Sequence, residues 1–184
     1  SRQHVATEHI ELGRVVGDLR PVLQSLLGDS VTLRLELTAS APVRAAVTQI
    51  EQILLNLCAN ARDAMPRGGE VEITVAVVGE SVQLSVRDSG CGMAPDVVER
   101  AFEPFFSTKG AGSARGLGLA TVYGIAKQLA GEARIDSAPG AGTTVTVHLP
   151  RDAVPSAAVV VPSPEPSAAP ARLQSRVLLI EDED

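Results

Sequence analysis

A column of short polar side chains accompanies an apolar helical stripe in residues 49–65, which read QIEQILLNLCANARDAM. Asn56, Asn60 and Asp63 recur at the i, i+4, i+7 spacing that places side chains on one face of a helix. Asparagine is a mediocre helix former because its amide competes for backbone hydrogen bonds. An asparagine oxygen can coordinate Mg²⁺ without adding negative charge beside a polyphosphate. The column is therefore either a ligand-binding face or an ordinary solvated face, and other parts of the chain must decide between them.

A carboxylate followed by two glycines is the second candidate site. Asp88, Gly90 and Gly92 come directly after a predicted strand, which can hold the carboxylate rigidly, and glycine lets a ligand approach the backbone. A buried carboxylate that accepts a hydrogen bond from an exocyclic amine would favour adenine over guanine by about 1–3 kcal/mol, because the wrong base leaves the acid unpaired. The alternative interpretation of this D-x-G-x-G pattern is a tight turn.

Glycine-rich runs and nearby cations supply candidate phosphate contacts. The run GLGL at residues 116–119 opens a predicted helix, whose first amides can face phosphate oxygens. Lys109 and Arg115 lie in the loop before that helix, and the run GAGT at residues 140–143 precedes the last predicted strand. Each of these signals is weak alone, since single surface cations and glycines before helices are common.

Five alternating segments predict the strands that position these residues. Residues 71–77 and 82–86 are joined by Gly79 and Glu80 and form a predicted hairpin. The other predicted strands are residues 31–37, 133–136 and 143–149. Short turns indicate antiparallel neighbours, and one-sided alternation indicates a sheet with one covered face.

Helices are predicted to cover that face. The first spans residues 15–27, begins or kinks near Pro21, and has an apolar face made of Val15, Leu19, Val22 and Leu26. After a turn at Pro42, a T-x-x-E capping box at Thr48 and Glu51 starts the helix with the asparagine column. The remaining helices are a short one after Pro95 and a longer one over residues 116–129. The predicted fold is a two-layer α/β sandwich, with a mixed and mostly antiparallel sheet covered on one face by helices.

Composition excludes several classes of function. The net charge of −6 argues against nucleic-acid binding, and three Phe, one Tyr and no Trp leave few residues for base stacking. Two cysteines without metal or CxxC spacing are typical of a reducing cytoplasm. The chain has no apolar run long enough to span a bilayer and no signal peptide, so no direct membrane contact is expected and any anchor of a parent protein would lie outside this sequence.

Five motifs in a fixed order point to one family. The patterns N-x-x-x-N-A, D-x-G-x-G, F-E-P-F-F-x-T-K, G-L-G-L and G-x-G-T-T resemble the N, G1, F, G2 and G3 boxes of the catalytic, ATP-binding domain of sensor histidine kinases. That domain is a branch of the superfamily of gyrase, Hsp90, histidine kinases and MutL (GHKL). The resemblance covers residues 15–150 and implies the Bergerat ATP-binding fold, with ATP and Mg²⁺ as cofactors.

The resemblance also implies roles for individual residues. Asn60 would be the Mg²⁺ ligand, with Asn56 near the phosphates and Asp63 lining the site, and Asn56 and Asn60 would be the catalytic pair. Asp88 would bind the adenine amino group. The base pocket would be completed by Gly90, Gly92 and Thr143. Residues 102–115 would form a lid over ATP that includes Phe105, Lys109 and Arg115. The phosphates would be held by Gly116, Leu117, Gly118 and Leu119.

One position separates phosphoryl transfer from hydrolysis. In ATP-hydrolysing members of the superfamily, a glutamate one turn before the Mg²⁺ asparagine orients water, whereas here that position is Asn56. Because an amide cannot act as a general base, the resemblance implies a domain that holds ATP for transfer to another nucleophile. The lid departs from the common family pattern, with Ala114 and Arg115 where Gly-Thr is frequent.

The two ends of the chain predict further domains. None of His4, His9 and His148 stands in an H-[ED]-x-x-x-P phosphoacceptor setting, so the phosphoacceptor is expected on a dimerisation domain outside this chain. Residues 1–14 are predicted as the tail of that domain's helix and a connector, residues 15–150 as the catalytic domain, and residues 151–175, rich in Pro, Ala, Ser and Val, as a linker. Residues 176–184, RVLLIEDED, resemble the first strand of a truncated receiver domain, or are a chance acidic tail.

The predicted function is therefore the ATP-binding catalytic domain of a hybrid sensor histidine kinase in two-component signalling. It would donate the γ-phosphoryl of Mg-ATP to the histidine of the dimerisation domain, with ATP or ADP, that domain and a receiver domain as partners in the cytoplasm. Two alternatives stay open: a GHKL-type ATPase that acts as a conformational switch, and a degenerate nucleotide-binding domain that acts as an interaction module.

Overall fold

The computed structural model describes residues 7–107 and 116–152. Several predicted features lie outside the described residues: Lys109, Arg115 and most of the predicted lid, His4, nearly all of the linker, and the receiver-like strand. The described residues belong to a single compact unit.

Within residues 7–107 and 116–152, seven strands form two sheets. The strands are β1 Glu8–Glu11, β2 Val31–Leu37, β3 Pro42–Ala45, β4 Gly69–Val78, β5 Ser81–Asp88, β6 Glu132–Ser137 and β7 Thr143–Pro150. Five of them form the main sheet in the order β2-β4-β5-β7-β6, while β1 and β3 pair as a separate antiparallel ribbon. Only the β2–β4 pair of the main sheet is parallel. The predicted mixed, mostly antiparallel sheet is confirmed.

The described part of the chain also contains five helices. They are α1 Leu12–Asp18, α2 Arg20–Leu27, α3 Val47–Ala64, α4 Pro95–Arg100 and α5 Gly118–Gln128. Helix α3 packs between α2 and α5 and also contacts β5, so it forms the centre of the helical layer. None of the described helices is both long and apolar enough to cross a membrane.

The core lies between the helical layer and one face of the sheet. Alternate residues of the central strands are buried there: Val71, Ile73, Val75, Val82, Leu84, Val86, Val145, Val147 and Leu149. The stripe of α3 meets them with Ile50, Ile53, Leu54, Leu57, Cys58 and Ala61, all buried. Because this stripe fixes the rotation of α3 about its axis, it also fixes the direction in which the asparagine column faces.

The first predicted helix is two helices. The helix is interrupted at Leu19, between α1 and α2. Pro21 lies in the first turn of α2, where its missing N–H costs no hydrogen bond. The break changes the helical phase, so the predicted apolar face was wrong at Val22, which is 52% exposed. Leu23 and Leu27 are buried instead, while Val15, Leu19 and Leu26 pack partly against the core.

The ribbon of β1 and β3 was not predicted. Residues 8–14, predicted as part of a connector, form β1 and the start of α1, and the predicted turn at Pro42 opens β3. Ile10 and Val43 lie opposite each other in the ribbon and are both buried. The carboxylate of Asp152 then joins the end of β7 to the ribbon through a close contact with the His9 ring and an ion pair with Arg44. These residues therefore belong to the folded domain.

The start of α3 also differs from the prediction. The helix begins at Val47 with Ala46 as its N-cap, and Gln49 Oε1 accepts the N–H of Ala46 at 3.1 Å. This is one half of a capping box, two residues earlier than the predicted T-x-x-E pattern. Alanine has no side-chain acceptor, so the sequence shows no reciprocal cap at this point.

Candidate functional site

Asp88 ends β5 and forms the first half of the site. It is 8% exposed and is the only buried polar or charged residue among those that the structure describes. Its Oδ1 accepts the N–H of Gly90 at 2.8 Å and the N–H of Thr143 at 3.2 Å. Burial raises the pKa of Asp88, and these two backbone hydrogen bonds oppose that rise. Within the described residues no hydrogen bond goes to Oδ2, so this oxygen can accept one from a ligand.

The glycines after Asp88 are required by neighbouring backbone. A Cβ atom on Gly90 would lie 2.7 Å from the Cβ of Ala64 at the end of α3. Gly92 has a φ of 67°, and a Cβ there would meet the carbonyl oxygen of Ala138. The sequence predicts that these glycines let a ligand approach the backbone. The contacts show that glycine is needed for the loop to pack against α3 and the β6–β7 turn.

Thr143 and Ser137 complete this half. The sheet register places Asp88 opposite Thr143, and Thr143 opposite Ser137, in one row across β5, β7 and β6. The Oγ atom of Ser137 lies 2.9 Å from Thr143 Oγ1 and 2.9 Å from the backbone N of Met93. The sequence prediction ended β6 at Asp136 and therefore missed Ser137. The sequence could have indicated Ser137 only through the register of the β6–β7 hairpin, which places it opposite Thr143.

The asparagine column forms the second half together with α5. A Cβ atom on Gly118, the first residue of α5, would lie 3.3 Å from Asn56 Oδ1 and 3.4 Å from Asn60 Nδ2. The Nδ2 of Asn56 donates to the carbonyl of Gln52 at 2.8 Å, which orients the amide. Asp63, the third member, has its Oδ1 3.0 Å from the Arg62 guanidinium. The structure thus brings both asparagines to the first turn of α5.

A backbone hydrogen bond joins the two described parts of the chain between α4 and α5. The N–H of Phe105 donates to the carbonyl of Gly116 at 2.9 Å. Both residues have positive φ, 66° and 63°, which is uncommon for a residue other than glycine. The Phe105 side chain is 76% exposed, whereas Phe102 packs partly against the core and stacks on Tyr123 with 5.2 Å between ring centroids.

The two leucines of the GLGL run differ in exposure. Leu117 is 37% exposed, and its carbonyl accepts the N–H of Thr121 at 2.8 Å and the Thr121 hydroxyl at 2.7 Å. Leu119 packs partly against the core. This run therefore anchors the start of α5 beside the asparagines, with the backbone of Gly118 rather than a side chain facing them.

The residues at the second half suit a hard cation only in part. In residues 7–107 and 116–152, no group of three His, Cys, Asp or Glu side chains could hold a metal ion. The donor set beside Gly118 consists of neutral amides, which fit Mg²⁺ when most of its ligands are phosphate and water oxygens. The site is thus suited to a metal that arrives with a polyphosphate.

Comparison with known proteins decides the family. Residues 45–153 match the family described as histidine kinase-, DNA gyrase B- and HSP90-like ATPases. The chain belongs to this ATPase family. The matched residues contain both halves of the site, from the asparagine column to the last strand of the sheet.

Similar proteins place the chain on the histidine kinase side of the ATPase family. It is 37% identical to the sensor kinase CckA of Brucella abortus, over 100% of this chain and 22% of that protein. It is 35% identical to the sensor histidine kinase ZraS of Escherichia coli K12, over 80% of this chain and 32% of that protein. The chain therefore spans less than a third of the length of these relatives.

A solved structure agrees with the fold. The catalytic domain of the histidine kinase ThkA, in a nucleotide-free form, superposes with a TM-score of 0.65 at 26% identity and covers 79% of this chain and 95% of that domain. The predicted α/β sandwich is thereby confirmed as the fold of a histidine kinase ATPase domain.

Proposed function

We propose that this domain binds Mg-ATP and donates its γ-phosphoryl group to a histidine on a dimerisation domain outside the chain. The observation that carries the proposal is the geometry of Asp88: its Oδ1 is held by two backbone N–H groups, and Oδ2 is left for a ligand donor. A fixed carboxylate oxygen selects the exocyclic amine of adenine, because guanine presents a carbonyl there and the two acceptors would repel.

The phosphates are proposed to lie between α3 and α5. The amides at the start of α5 carry the positive end of the helix dipole and can donate to phosphate oxygens. Gly118 supports this arrangement, because its missing side chain leaves space next to Asn56 and Asn60. Asn60 is the proposed Mg²⁺ ligand, and Lys109 and Arg115 remain proposed phosphate contacts outside the described residues. When bound, the metal would neutralise charge that develops on the transferred group.

The residue one helical turn before Asn60 favours phosphoryl transfer over hydrolysis. Asn56 stands one helical turn earlier, and its Nδ2 is a donor to the carbonyl of Gln52. An amide cannot remove a proton from water. The domain would therefore act by positioning and charge stabilisation, and any base for the histidine would come from the dimerisation domain. This residue argues against the alternative of an ATPase that acts as a conformational switch.

The proposed setting is a hybrid kinase of the cytoplasm. Residues 176–184 resemble the first strand of a receiver domain. Residues 153–175, the part of the predicted linker at 151–175 that follows the described residues, have the composition of a linker. The proposed partners are the dimerisation domain of the same protein and that receiver domain. No nucleic-acid partner and no direct membrane contact are proposed.

A transfer assay tests this function. The chain would be mixed with the separately purified dimerisation domain and γ-labelled ATP, and label on histidine would be followed against time. We expect transfer by the wild-type domain, loss of transfer in Asn60→Ala, and normal transfer in Gln52→Ala, an exposed neighbour on the same helix. Steady release of inorganic phosphate without labelled histidine would favour the ATPase switch. A folded domain that binds no nucleotide would favour the interaction module.

A further inference from the structure

One hydroxyl group connects β6 to two other segments that lie beside Asp88. The Oγ atom of Ser137 lies 2.9 Å from the backbone N of Met93, 2.9 Å from the carbonyl oxygen of Gly142 and 2.9 Å from Thr143 Oγ1. Met93 follows the glycine loop after β5, while Gly142 and Thr143 form the turn into β7. Ser137 itself is the last residue of β6.

The hydrogen-bonding capacity of this hydroxyl is fully used. A serine hydroxyl donates one hydrogen bond and accepts two. The carbonyl of Gly142 can only accept, so Ser137 donates to it. The two lone pairs of Ser137 then accept the N–H of Met93 and the hydroxyl of Thr143. No capacity remains for a ligand, so any role of Ser137 in binding acts through its neighbours.

Those neighbours set the position of the Asp88 carboxylate. The backbone N–H of Thr143 is one of the two donors to Asp88 Oδ1. Gly142 has a φ of 79° and is so close to Asp88 that a Cβ there would overlap the Asp88 carbonyl oxygen. A shift of the turn at Gly142 would therefore move both the backbone and the anchored oxygen of Asp88.

We propose that Ser137 is a positioning residue that sets the adenine selectivity of the pocket by locking the Gly142–Thr143 turn and the Met93 loop around Asp88. This inference rests on the proposed binding of adenine by Asp88. Without the hydroxyl, the Thr143 N–H holds Asp88 Oδ1 less firmly, and Oδ2 points less accurately at an exocyclic amine. The asparagines and α5 have no hydrogen bond to Ser137 in the described residues, so phosphate binding keeps its strength.

The chain contains a matched control for this hydroxyl. Ser85 and Thr146 are also paired across two strands, with 3.5 Å between their hydroxyl oxygens. Ser85 alternates with the buried residues Leu84 and Val86, so it lies on the sheet face opposite to the helices. Ser85→Ala removes a similar interstrand hydroxyl without touching the pocket.

The experiment compares the affinities of ADP and GDP for the wild-type domain, Ser137→Ala, Ser137→Thr and Ser85→Ala, with melting temperatures measured in parallel. In Ser137→Ala we expect ADP binding to weaken about tenfold and GDP binding to change less than about twofold, so that the preference for ADP falls about tenfold. Ser137→Thr keeps the hydroxyl and should retain most of the preference. Ser85→Ala should bind both nucleotides as the wild-type domain does.

Two results would overturn the inference in distinguishable ways. A wild-type domain that prefers ADP, together with an unchanged preference in folded Ser137→Ala, would leave Ser137 as a structural hydrogen bond and overturn this inference alone. A wild-type domain without preference for ADP would overturn both this inference and the proposed function. If Ser137→Ala does not fold, Ser137→Cys replaces it, since a thiol of similar size is a weak donor and acceptor. A reduced ADP preference in that variant supports the inference, and an unchanged one overturns it.

Discussion

The two halves of the site are built from different kinds of structure. The Asp88 half lies on one sheet, where Asp88, Thr143 and Ser137 stand in register on neighbouring strands and hydrogen bonds of 2.8–3.2 Å join them to each other and to adjacent loops. The asparagine half is formed where two helices meet, with Asn56 and Asn60 facing the first residue of α5.

Under the proposed function, this difference gives the two halves separate tasks. A sheet with paired backbone groups can hold a carboxylate oxygen in one place, as the choice between two bases requires. Two helices that meet at a glycine leave space for phosphates and a metal ion, which bring much of their own charge and coordination. We therefore expect changes in the Asp88 half to alter base selectivity, and changes in the asparagine half to alter the dependence on Mg²⁺ and on the number of phosphates.

Asp88→Asn should have the largest effect. The variant loses the acceptor that we propose selects adenine, so ADP affinity should fall about 10- to 100-fold. The fold should survive, since Asn Oδ1 can still accept the N–H groups of Gly90 and Thr143. Calorimetry and a melting curve check both expectations, and unchanged ADP affinity in the folded variant would sink the assignment of Asp88 to adenine.

Asn60→Ala should change the Mg²⁺ dependence of binding without changing the base preference. The variant loses the proposed metal ligand. We therefore expect the factor by which Mg²⁺ increases the affinity for ATP to fall about tenfold or more. The preference for ADP over GDP should stay as in the wild-type domain. Titrations of ATP with and without Mg²⁺ measure the first quantity. A variant that keeps the full Mg²⁺ effect would show that another group holds the metal.

Gly118→Ala should have an intermediate effect at the asparagine half. The added methyl group would lie 3.3 Å from Asn56 Oδ1, so it occupies the space beside the asparagines, and ATP affinity should fall about three- to tenfold. Gly124→Ala is the control on the same helix, because a Cβ there meets nothing within 4 Å. That control should bind ATP normally and stabilise the domain by about 0.5–1 kcal/mol, since alanine favours the helix. Equal ATP binding by the two variants would contradict the placement of phosphates at Gly118.

The smallest expected effect is a pH dependence from Asp88. Burial raises the pKa of Asp88 above its ordinary value. Between the unfolded and the folded pKa the folded state therefore holds more protons, so the free energy of unfolding decreases as the pH rises through that window. Asp88→Asn lacks this contribution, and at neutral pH the ligand-free variant should melt no lower than the wild-type domain. Denaturant unfolding of both proteins from acid to neutral pH measures the difference, and a wild-type domain that gains stability over Asp88→Asn as the pH rises would contradict it.

Those parts of the fold that have a repeating side-chain pattern could be predicted from the sequence. The alternation of residues 31–37 predicted β2 with its observed bounds, and the apolar stripe of α3 predicted which way Asn56 and Asn60 face. The ribbon could not be predicted, because β1 and β3 have four residues each and form a sheet of their own beside the main sheet. A four-residue strand contains too few alternations to stand out.

Parts of the site were hidden for a different reason. Ser137 lies opposite Thr143 in the sheet and accepts a hydrogen bond from Met93, which is distant in sequence. Neither contact can be seen in a linear sequence pattern. The motif predicts Gly90 and Gly92 as residues of a base pocket, whereas the atoms that require glycine at these positions belong to Ala64 and Ala138. Motif spacing thus locates the loops of the pocket, while the contacts that shape them depend on tertiary packing.

The most direct test of the central claim is a calorimetric titration of the chain with ADP and with ATP, each with and without Mg²⁺, and with GTP as the control. If Asp88 selects the base and the asparagine half receives a metal-bound polyphosphate, ADP and ATP bind, Mg²⁺ strengthens the binding of ATP, and GTP binds much more weakly. Equal binding of ATP and GTP, or no binding by a folded sample, would contradict the proposed site.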